Sequence, residues 1–200
     1  MATDPHRKLV KHYHQPGDFH ELTFSCYRQM KLLTNDAWRK YLARSIDAAA
    51  EELGFQLTAF VFMPEHVHLL VLPTRPETTA EDISSFLIKL KVPCSQQIKA
   101  DLERNGSRLL SLLTIRDRPG HSAFRYWQEG PGYDRNLNNE QSVLAAINYI
   151  HMNPVRRNLV DHPRKWKWSS ARWYLSDRQE IDLDLPRIHS PPPELFEQRF

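Results

Sequence analysis

Cysteine is scarce in this sequence, since Cys26 and Cys94 are the only two among 200 residues. Two thiols are too few for a disulfide framework or a Cys-rich zinc site, and they favour a reducing compartment, the cytoplasm. The chain also lacks an apolar run long enough to cross a membrane, so we expect no membrane partner. Its first residues, MATDPHRKLVKHYHQPGDF, contain no hydrophobic stretch of the kind found in secretory signals.

A strong excess of charge of one sign is also absent, because 27 Lys and Arg face 24 Asp and Glu for a net charge of +3. This balance points only weakly to a polyanionic partner. The distribution is more informative, since basic residues alternate with tryptophans late in the chain: Arg156, Arg157, Arg164, Lys165 and Lys167 with Trp166, Trp168 and Trp173. This pattern suits phosphate contact and base stacking, although a solvated surface anchored by tryptophan fits it equally well.

The first half of the chain shows clear strand and helix periodicities. A strand is predicted from His20 to Arg28, and a helix between a cap at Asn35 or Asp36 and a stop at Gly54. Two further strands, Phe55–Met63 and His66–Leu72, are separated only by Pro64-Glu65. Strands this close in sequence form an antiparallel hairpin.

The second half is less regular. A helix is expected after Thr78 or Thr79, with Pro93 breaking or kinking it. Residues 104–121 show no clear periodicity and are interpreted as an insertion or a flexible loop, whereas residues 124–130 are predicted to form a fourth strand. A last helix is expected to begin at Asn138 or Asn139 and to end at Pro154.

This order, β-α-β-β-α-β-α, predicts an α+β protein with a ferredoxin-like split βαβ fold. Its antiparallel sheet would carry helices on one face, with an added C-terminal helix and tail. We accordingly divide the chain into a flexible segment at 1–18, a main domain at 19–158, and a basic, aromatic and Pro-rich tail at 159–200.

Two histidines stand one residue apart in the stretch FVFMPEHVHLLVLP. Side chains two apart in a strand share a face, so His66 and His68 lie side by side and Val67 points away. Two neutral imidazoles supply half of a metal site. By itself the pattern is weak, because a strand histidine is more often a hydrogen-bonded structural residue. Its place at the start of an apolar strand, after a Pro-Glu break, favours a site.

Tyr149 and Asn153 are four residues apart in NYIHMNP and therefore lie on one face of the predicted last helix. Val143, Ile147 and Ile150 form the expected core stripe, from which Tyr149 is turned away. The alternative is an ordinary boundary tyrosine followed by a helix-ending asparagine before proline.

Four segments of the sequence, in order, resemble the single-tyrosine HUH transposases of IS200/IS605-like insertion sequences, and in particular their REP-associated tyrosine transposase branch. They are FVFMPEHVHLLV, FRYWQEGPGYDR, YIHMNPVRRNLV and WKWSS, which together extend from about residue 20 to about residue 175. The tail beyond Trp166 is absent from minimal insertion-sequence enzymes, which favours the REP-associated branch. Arg157-Asn158 replaces a small residue and glycine of the relatives, but Asn158 can adopt the same left-handed conformation.

The resemblance implies a ferredoxin-like enzyme of the bacterial cytoplasm, acting at the nucleoid on single-stranded DNA beside hairpins such as REP repeats. It implies Mg²⁺ or Mn²⁺ on His66, His68 and Asn153, with Tyr149 as the nucleophile. Such an enzyme cleaves and rejoins DNA through a 5′-phosphotyrosine intermediate, as a monomer or a homodimer. For DNA contact, charge clustering favours Arg156, Arg157, Lys165 and Lys167, followed by Lys89, Lys91 and Arg135.

Two rival interpretations use the same sequence differently. A non-catalytic hairpin-binding module would need the sheet and the basic residues but neither Tyr149 nor the histidine pair. A zinc hydrolase on His66, His68 and His151 is a poorer fit, because His151 projects away from the direction of Tyr149 at 100° per residue. If Tyr149 is not the nucleophile, the candidates are Tyr126, Tyr133 and Tyr174.

Overall fold

The computed structural model describes residues 17–130, 132–193 and 195. In that part of the chain the strands are β1 (Phe19–Ser25), β2 (Phe55–Phe62), β3 (His66–Pro73), β4 (Thr114–Arg118), β5 (His121–Phe124) and β6 (Tyr133–Leu137). The helices are α1 (Asp36–Leu53), α2 (Ala80–Arg104), α3 (Arg108–Leu113), α4 (Glu140–Arg156) and α5 (Ala171–Leu175). None of these helices is long and apolar enough to span a bilayer.

Four strands form one antiparallel sheet in the order β2-β3-β1-β6. Strand β3 therefore lies between β1 and β2, which confirms the predicted ferredoxin-like split βαβ arrangement. Helices α1 and α2 cover one face, where Phe24, Val67 and Leu69 join their apolar side chains in the larger core. Helix α4 covers the opposite face through a smaller core that includes Leu70 and Leu72 of β3.

Local signals set the ends of the main elements as predicted. The Asn35 side chain accepts hydrogen bonds from the first-turn N–H groups of α1, and Gly54 ends that helix in the left-handed conformation at φ 72°. The Asn139 side chain accepts the N–H of Ser142 and so starts α4. The β2–β3 hairpin also forms where it was expected.

Other boundaries differ from the prediction. Strand β1 ends at Ser25 instead of Arg28, because the chain turns there and Arg28 adopts φ 51°. Helix α2 continues through Pro93, and α4 passes Pro154 to end at Arg156. Proline removes one backbone hydrogen bond, but buried Leu90 and Cys94 still anchor α2 on either side of Pro93.

Two predictions for residues 104–130 were wrong. The flexible-loop interpretation of residues 104–121 is contradicted, since they contain α3, β4 and the first residue of β5, whereas the alternative that they are an insertion stays a prediction. The fourth strand of the main sheet is β6, at Tyr133–Leu137, and not 124–130. The apolar character of 124–130 has another cause, because Tyr126 and Trp127 are buried in the larger core, and Trp127 makes an isolated antiparallel bridge to Cys26 just after β1.

Residues 168–170 close the β2 edge of the sheet. The N–H of Phe62 donates to the Trp168 carbonyl at 2.8 Å, and the N–H of Ser170 donates to the Phe60 carbonyl at 3.1 Å. Trp168 is buried in the larger core. This part of the predicted tail is therefore packed against the sheet, whereas residues 1–16 of the predicted flexible segment lie outside the described residues.

Candidate active site

The histidine pair opens β3 on the face of the sheet that α4 covers. In the register of β1 with β3, Thr23 lies opposite His68 and Ser25 lies opposite His66. The Nε2 atoms of the two imidazoles face each other at 3.1 Å, and their rings lie edge to face. The predicted shared orientation of the two histidines is thus present.

Hydrogen bonds orient both rings so that Nε2 points into the site. His66 Nδ1 lies 3.0 Å from the Glu65 carboxylate, which can only accept and therefore keeps the proton on Nδ1. The Asn153 amide donates to His68 Nε2 at 3.1 Å, so the ring donates from Nδ1 to the Thr23 hydroxyl at 2.8 Å. In this arrangement the Nε2 atoms of His66 and His68 both lack a proton and lie 3.1 Å apart.

Burial keeps both imidazoles neutral. It lowers the pKa of His68 to about 3, an effect to which neighbouring His66 adds. Burial also lowers the pKa of His66, although the Glu65 carboxylate opposes that change. Neutral imidazole is the form that binds a cation.

Helix α4 brings Tyr149 to the histidines of its own chain. The phenol ring lies edge to face on His68, with ring centroids 5.5 Å apart, and Tyr149 remains 39% exposed. One turn later Asn153 is buried against His68, and two turns later the Arg156 guanidinium lies 5.1 Å from the Tyr149 ring centroid. The spacing of the three side chains along α4 puts them on one face of the helix.

The donor set fits a divalent cation. Ligands at right angles around an ion at about 2.1 Å stand about 3.0 Å apart, close to the separation of the two Nε2 atoms. Asn153 supplies its amide oxygen once the terminal amide is turned over. No cluster of three His, Cys, Asp or Glu side chains that could hold a metal ion was found among the described residues, and the side chain next to the histidine pair on α4 is the Asn153 carboxamide.

Three of the predicted DNA-contacting residues border the site. Arg156 and Arg157 line the cleft of about 360 Å³ that contains the histidine pair and Tyr149. Arg157 also forms an ion pair with Glu65. Arg135 lines a neighbouring cavity that shares Thr23, His68 and Tyr149 with this cleft.

The other four residues predicted to contact DNA are lysines, and they form ion pairs or lie on the opposite face of the sheet. Lys165 pairs with Asp161 at 2.7 Å, and Lys89 pairs with Glu52 at 2.5 Å. Lys167 pairs with Asp184 at 2.9 Å. Lys91 is packed over the ring of Phe24, which belongs to the core beneath α1 and α2, and so faces away from the histidines.

Thr23 and Glu65 contact the histidine pair, and the sequence analysis did not include them among the candidate residues. The motif PEH places Glu65 beside His66, and that adjacency was a usable signal. Thr23 is 45 residues from His68, and only the register of β1 with β3 joins them.

The alternative metal ligand, His151, and two of the three alternative nucleophiles, Tyr126 and Tyr174, lie away from the histidine pair. His151 Nε2 is 2.8 Å from the Ser170 hydroxyl, and the ring packs on Tyr174 away from the histidine pair. Tyr126 is buried in the larger core, and the Tyr174 hydroxyl donates to the Thr58 carbonyl at 3.0 Å. Tyr133 is exposed and lines the cavity beside Tyr149.

The fold and the site together define a ferredoxin-like protein in which a tyrosine on a helix faces a histidine pair on the central sheet. A family model described as "Transposase IS200 like" matches residues 18–111, which carry the first three strands of the sheet and the histidine pair.

One solved structure shows the same fold. The structure of a REP-associated tyrosine transposase bound to a REP hairpin is 19% identical with a TM-score of 0.58, over 94% of this chain and all of that chain. A candidate transposase from Deinococcus radiodurans R1 is 18% identical with a TM-score of 0.42, over 76% of this chain and 97% of the other. No curated protein matches the chain.

Proposed function

We propose that this chain is a metal-dependent single-stranded DNA endonuclease and strand transferase, which cleaves and rejoins DNA with Tyr149 as the nucleophile. The observation that supports the proposal is the convergence of one exposed phenol, two neutral imidazoles and one carboxamide in a single cleft. The two imidazoles come from one sequence segment and the phenol and carboxamide from another, and the fold brings the two segments together.

In the proposed reaction the Tyr149 oxygen attacks the scissile phosphorus. A bond forms between that oxygen and phosphorus, the bond from phosphorus to the 3′ oxygen breaks, and the phenol proton is balanced by the proton that the leaving 3′ oxygen takes up. The product is a 5′-phosphotyrosine and a free 3′-OH. Because the phosphoester bond is conserved, a second 3′-OH can reverse the step and join strands without an energy source.

The chain's own residues prepare this step. Glu65 and Thr23 hold the imidazoles with Nε2 directed into the cleft, so that His66, His68 and Asn153 can hold Mg²⁺ or Mn²⁺. When bound, that cation supplies positive charge to the scissile phosphate as its negative charge develops. Arg156 keeps the Tyr149 ring in place by a cation–π contact and adds positive charge beside it.

The substrate we infer is single-stranded DNA next to a hairpin. The similar solved structure has a REP hairpin bound, and Arg135, Arg156 and Arg157 surround the site with guanidinium groups suited to phosphates. Such a protein would work at the nucleoid of the bacterial cytoplasm. Because Tyr149 lies against the histidines of its own chain, one chain contains all the proposed groups.

The test is covalent adduct formation with Mn²⁺ and an oligonucleotide that carries a hairpin and a single-stranded extension, followed by denaturing electrophoresis. The wild-type chain should form the adduct, and Tyr149→Phe should lose it completely while binding the hairpin unchanged. Tyr133→Phe is the matched control, since it removes an exposed phenol hydroxyl from the neighbouring cavity, and it should keep the adduct.

Two outcomes would contradict the proposal. An adduct that persists in Tyr149→Phe would transfer the nucleophile role to another tyrosine. Hairpin binding by the wild-type chain without any adduct, across Mg²⁺ and Mn²⁺, would leave the non-catalytic hairpin-binding module as the function.

A further inference from the structure

A second cavity of about 500 Å³ adjoins the cleft with both histidines and shares Thr23, His68 and Tyr149 with it. Strands β1 and β6 form its floor and α4 forms one wall. Its size is within the range of pockets that bind small ligands. The side chains used below are Glu21, Tyr133, Arg135, Ala145, Ala146 and Tyr149.

A buried carboxylate lies in the floor of this cavity. The Glu21 side chain is 8% exposed, and burial raises its pKa, an effect that Arg135 opposes. In the described part of the chain the only cationic group near it is Arg135, at 3.8 Å, which is beyond hydrogen-bond distance. The carboxylate lines the cavity, so its oxygens are directed to whatever fills that space and can accept hydrogen bonds from an external donor there.

The walls suit a flat ring. Tyr133 is 54% exposed at the cavity edge, and Tyr149 stands on the α4 side. The small side chains of Ala145 and Ala146 leave room between them. A β-carbon at Gly132 would lie 2.3 Å from the Thr23 carbonyl oxygen, so glycine is required for β6 to bring Tyr133 this close to β1.

We propose that this cavity receives one unstacked guanine base of the single-stranded DNA, next to the nucleotide whose phosphate lies at Tyr149. Glu21 accepts hydrogen bonds from the base edge, Arg135 donates to it, and the Tyr133 ring stacks on its face. The proposal rests on the proposed function, because it assumes that DNA passes over Tyr149.

The negative charge of Glu21 and the positive charge of Arg135 at the floor of the cavity distinguish guanine from the other three bases. Guanine has two adjacent donors, N1–H and the 2-amino group, beside the O6 acceptor, and a carboxylate with a guanidinium matches that order. Thymine offers a single N–H between two carbonyls, which leaves one carboxylate oxygen without a donor. Cytosine and adenine each place their one amino group beside an acceptor nitrogen, which the second carboxylate oxygen would repel.

The test is selection from a single-stranded pool in which the extension beside the hairpin is randomised, carried out in EDTA so that no cleavage occurs. The wild-type chain should enrich guanine at one position, by roughly 5- to 100-fold over other bases. Glu21→Gln keeps the size of the side chain but removes one acceptor, and it should lose this preference. Glu103→Gln, the same change on the exposed side of α2, should retain it.

A second pair of variants tests the stacking role. Tyr133→Ala should weaken binding of the selected sequence about 5- to 100-fold, whereas Tyr133→Phe should bind as the wild type does. Circular dichroism of each variant identifies any that do not fold, and the Phe variant then carries the comparison.

The results separate this inference from the proposed function. Enrichment of no base at any position, or an unchanged guanine preference in Glu21→Gln, would overturn the guanine pocket even if the wild-type chain forms its Tyr149 adduct. Absence of that adduct would instead overturn the proposed function, whatever the selection shows.

Discussion

The two faces of the central sheet are built from alternate residues of the same strands, yet they serve different purposes. On β3, Val67, Leu69 and Val71 point towards α1 and α2 and are fully buried. On the opposite face, Leu70 and Leu72 are buried under α4, but His66 and His68 lie where the apolar contact with α4 gives way to Tyr149 and Asn153.

This difference shows how a strand can carry a polar site without weakening its core. Because side chains alternate in direction, two consecutive residues of β3 can belong to separate environments. We therefore expect substitutions on the α1–α2 face to change the free energy of unfolding, and substitutions at the open end of the α4 face to change chemistry.

The largest effect on the α4 face should come from replacing His66 and His68 together by alanine. DNA cleavage should disappear, because no imidazole would remain to hold a cation. The wild-type chain should unfold at a higher temperature when Mn²⁺ is added, and the double variant should not, as measured by thermal denaturation. Mn²⁺ protection that survives the double substitution would place the cation elsewhere.

On the other face, Leu69→Ala should destabilise the fold by about 2–5 kcal/mol, because Leu69 is fully buried and the truncation leaves a cavity. Urea denaturation measures this change, with the exposed Leu144→Ala as a control that should stay near the wild-type value. The adduct yield per folded molecule should not change. A specific loss of adduct in Leu69→Ala would show that the two faces are coupled.

A smaller effect is expected from Glu65→Gln, which weakens the acceptor that holds His66 Nδ1. Loss of such a carboxylate partner typically lowers metal affinity about 10- to 100-fold. A Mn²⁺ titration followed by calorimetry would measure it. Arg157→Gln breaks the ion pair with Glu65 but keeps the contact with His66, so its affinity for Mn²⁺ should fall less. Equal losses in both variants would argue that the ion pair positions the histidine.

The smallest effect concerns Lys91, on the face of α2 that packs against the sheet. Burial lowers the pKa of Lys91 to about 8, so the charged form is disfavoured in the folded state. Lys91→Met should raise the free energy of unfolding at pH 7 by about 2 kcal/mol. Between pH 8 and about pH 10.4 the unfolded chain holds this proton and the folded chain does not, so wild-type stability should rise towards that of the variant. Denaturation of both chains across this range measures the difference, and a constant gap would contradict it.

Lys91 and Arg156 lie on opposite faces of the sheet, so variants of the two residues show which face binds DNA. Lys91 faces away from the site, so Lys91→Met should leave the salt dependence of DNA binding unchanged. Arg156→Gln, at the site, should lower the slope of log K against log salt by about one unit. The reverse result would place the DNA on the α1–α2 face.

Most of the sheet and the central site could be predicted, because their signals are local. The caps at Asn35, Gly54 and Asn139 and the alternation around His66 and His68 each depend on a few neighbouring residues. Asn158 likewise adopts the predicted left-handed conformation, at φ 55°.

The fourth strand could not be found in this way. The sequence YDRNL of β6 is mostly polar, and it becomes a strand by pairing with β1, more than 100 residues earlier in the chain. Residues 124–130 have the apolar character of a strand, but tertiary packing uses Tyr126 and Trp127 as core side chains instead. Position-dependent context overrides strand propensity in both segments.

The pairing of residues 168–170 with β2 also bears on how the chain behaves when shortened. An uncovered β2 would offer a row of free N–H and carbonyl groups to any passing extended segment, and such edges promote aggregation. A version that ends after residue 158 would retain every proposed catalytic group while opening that edge. We expect it to self-associate at concentrations where the whole chain stays dispersed, which light scattering would register.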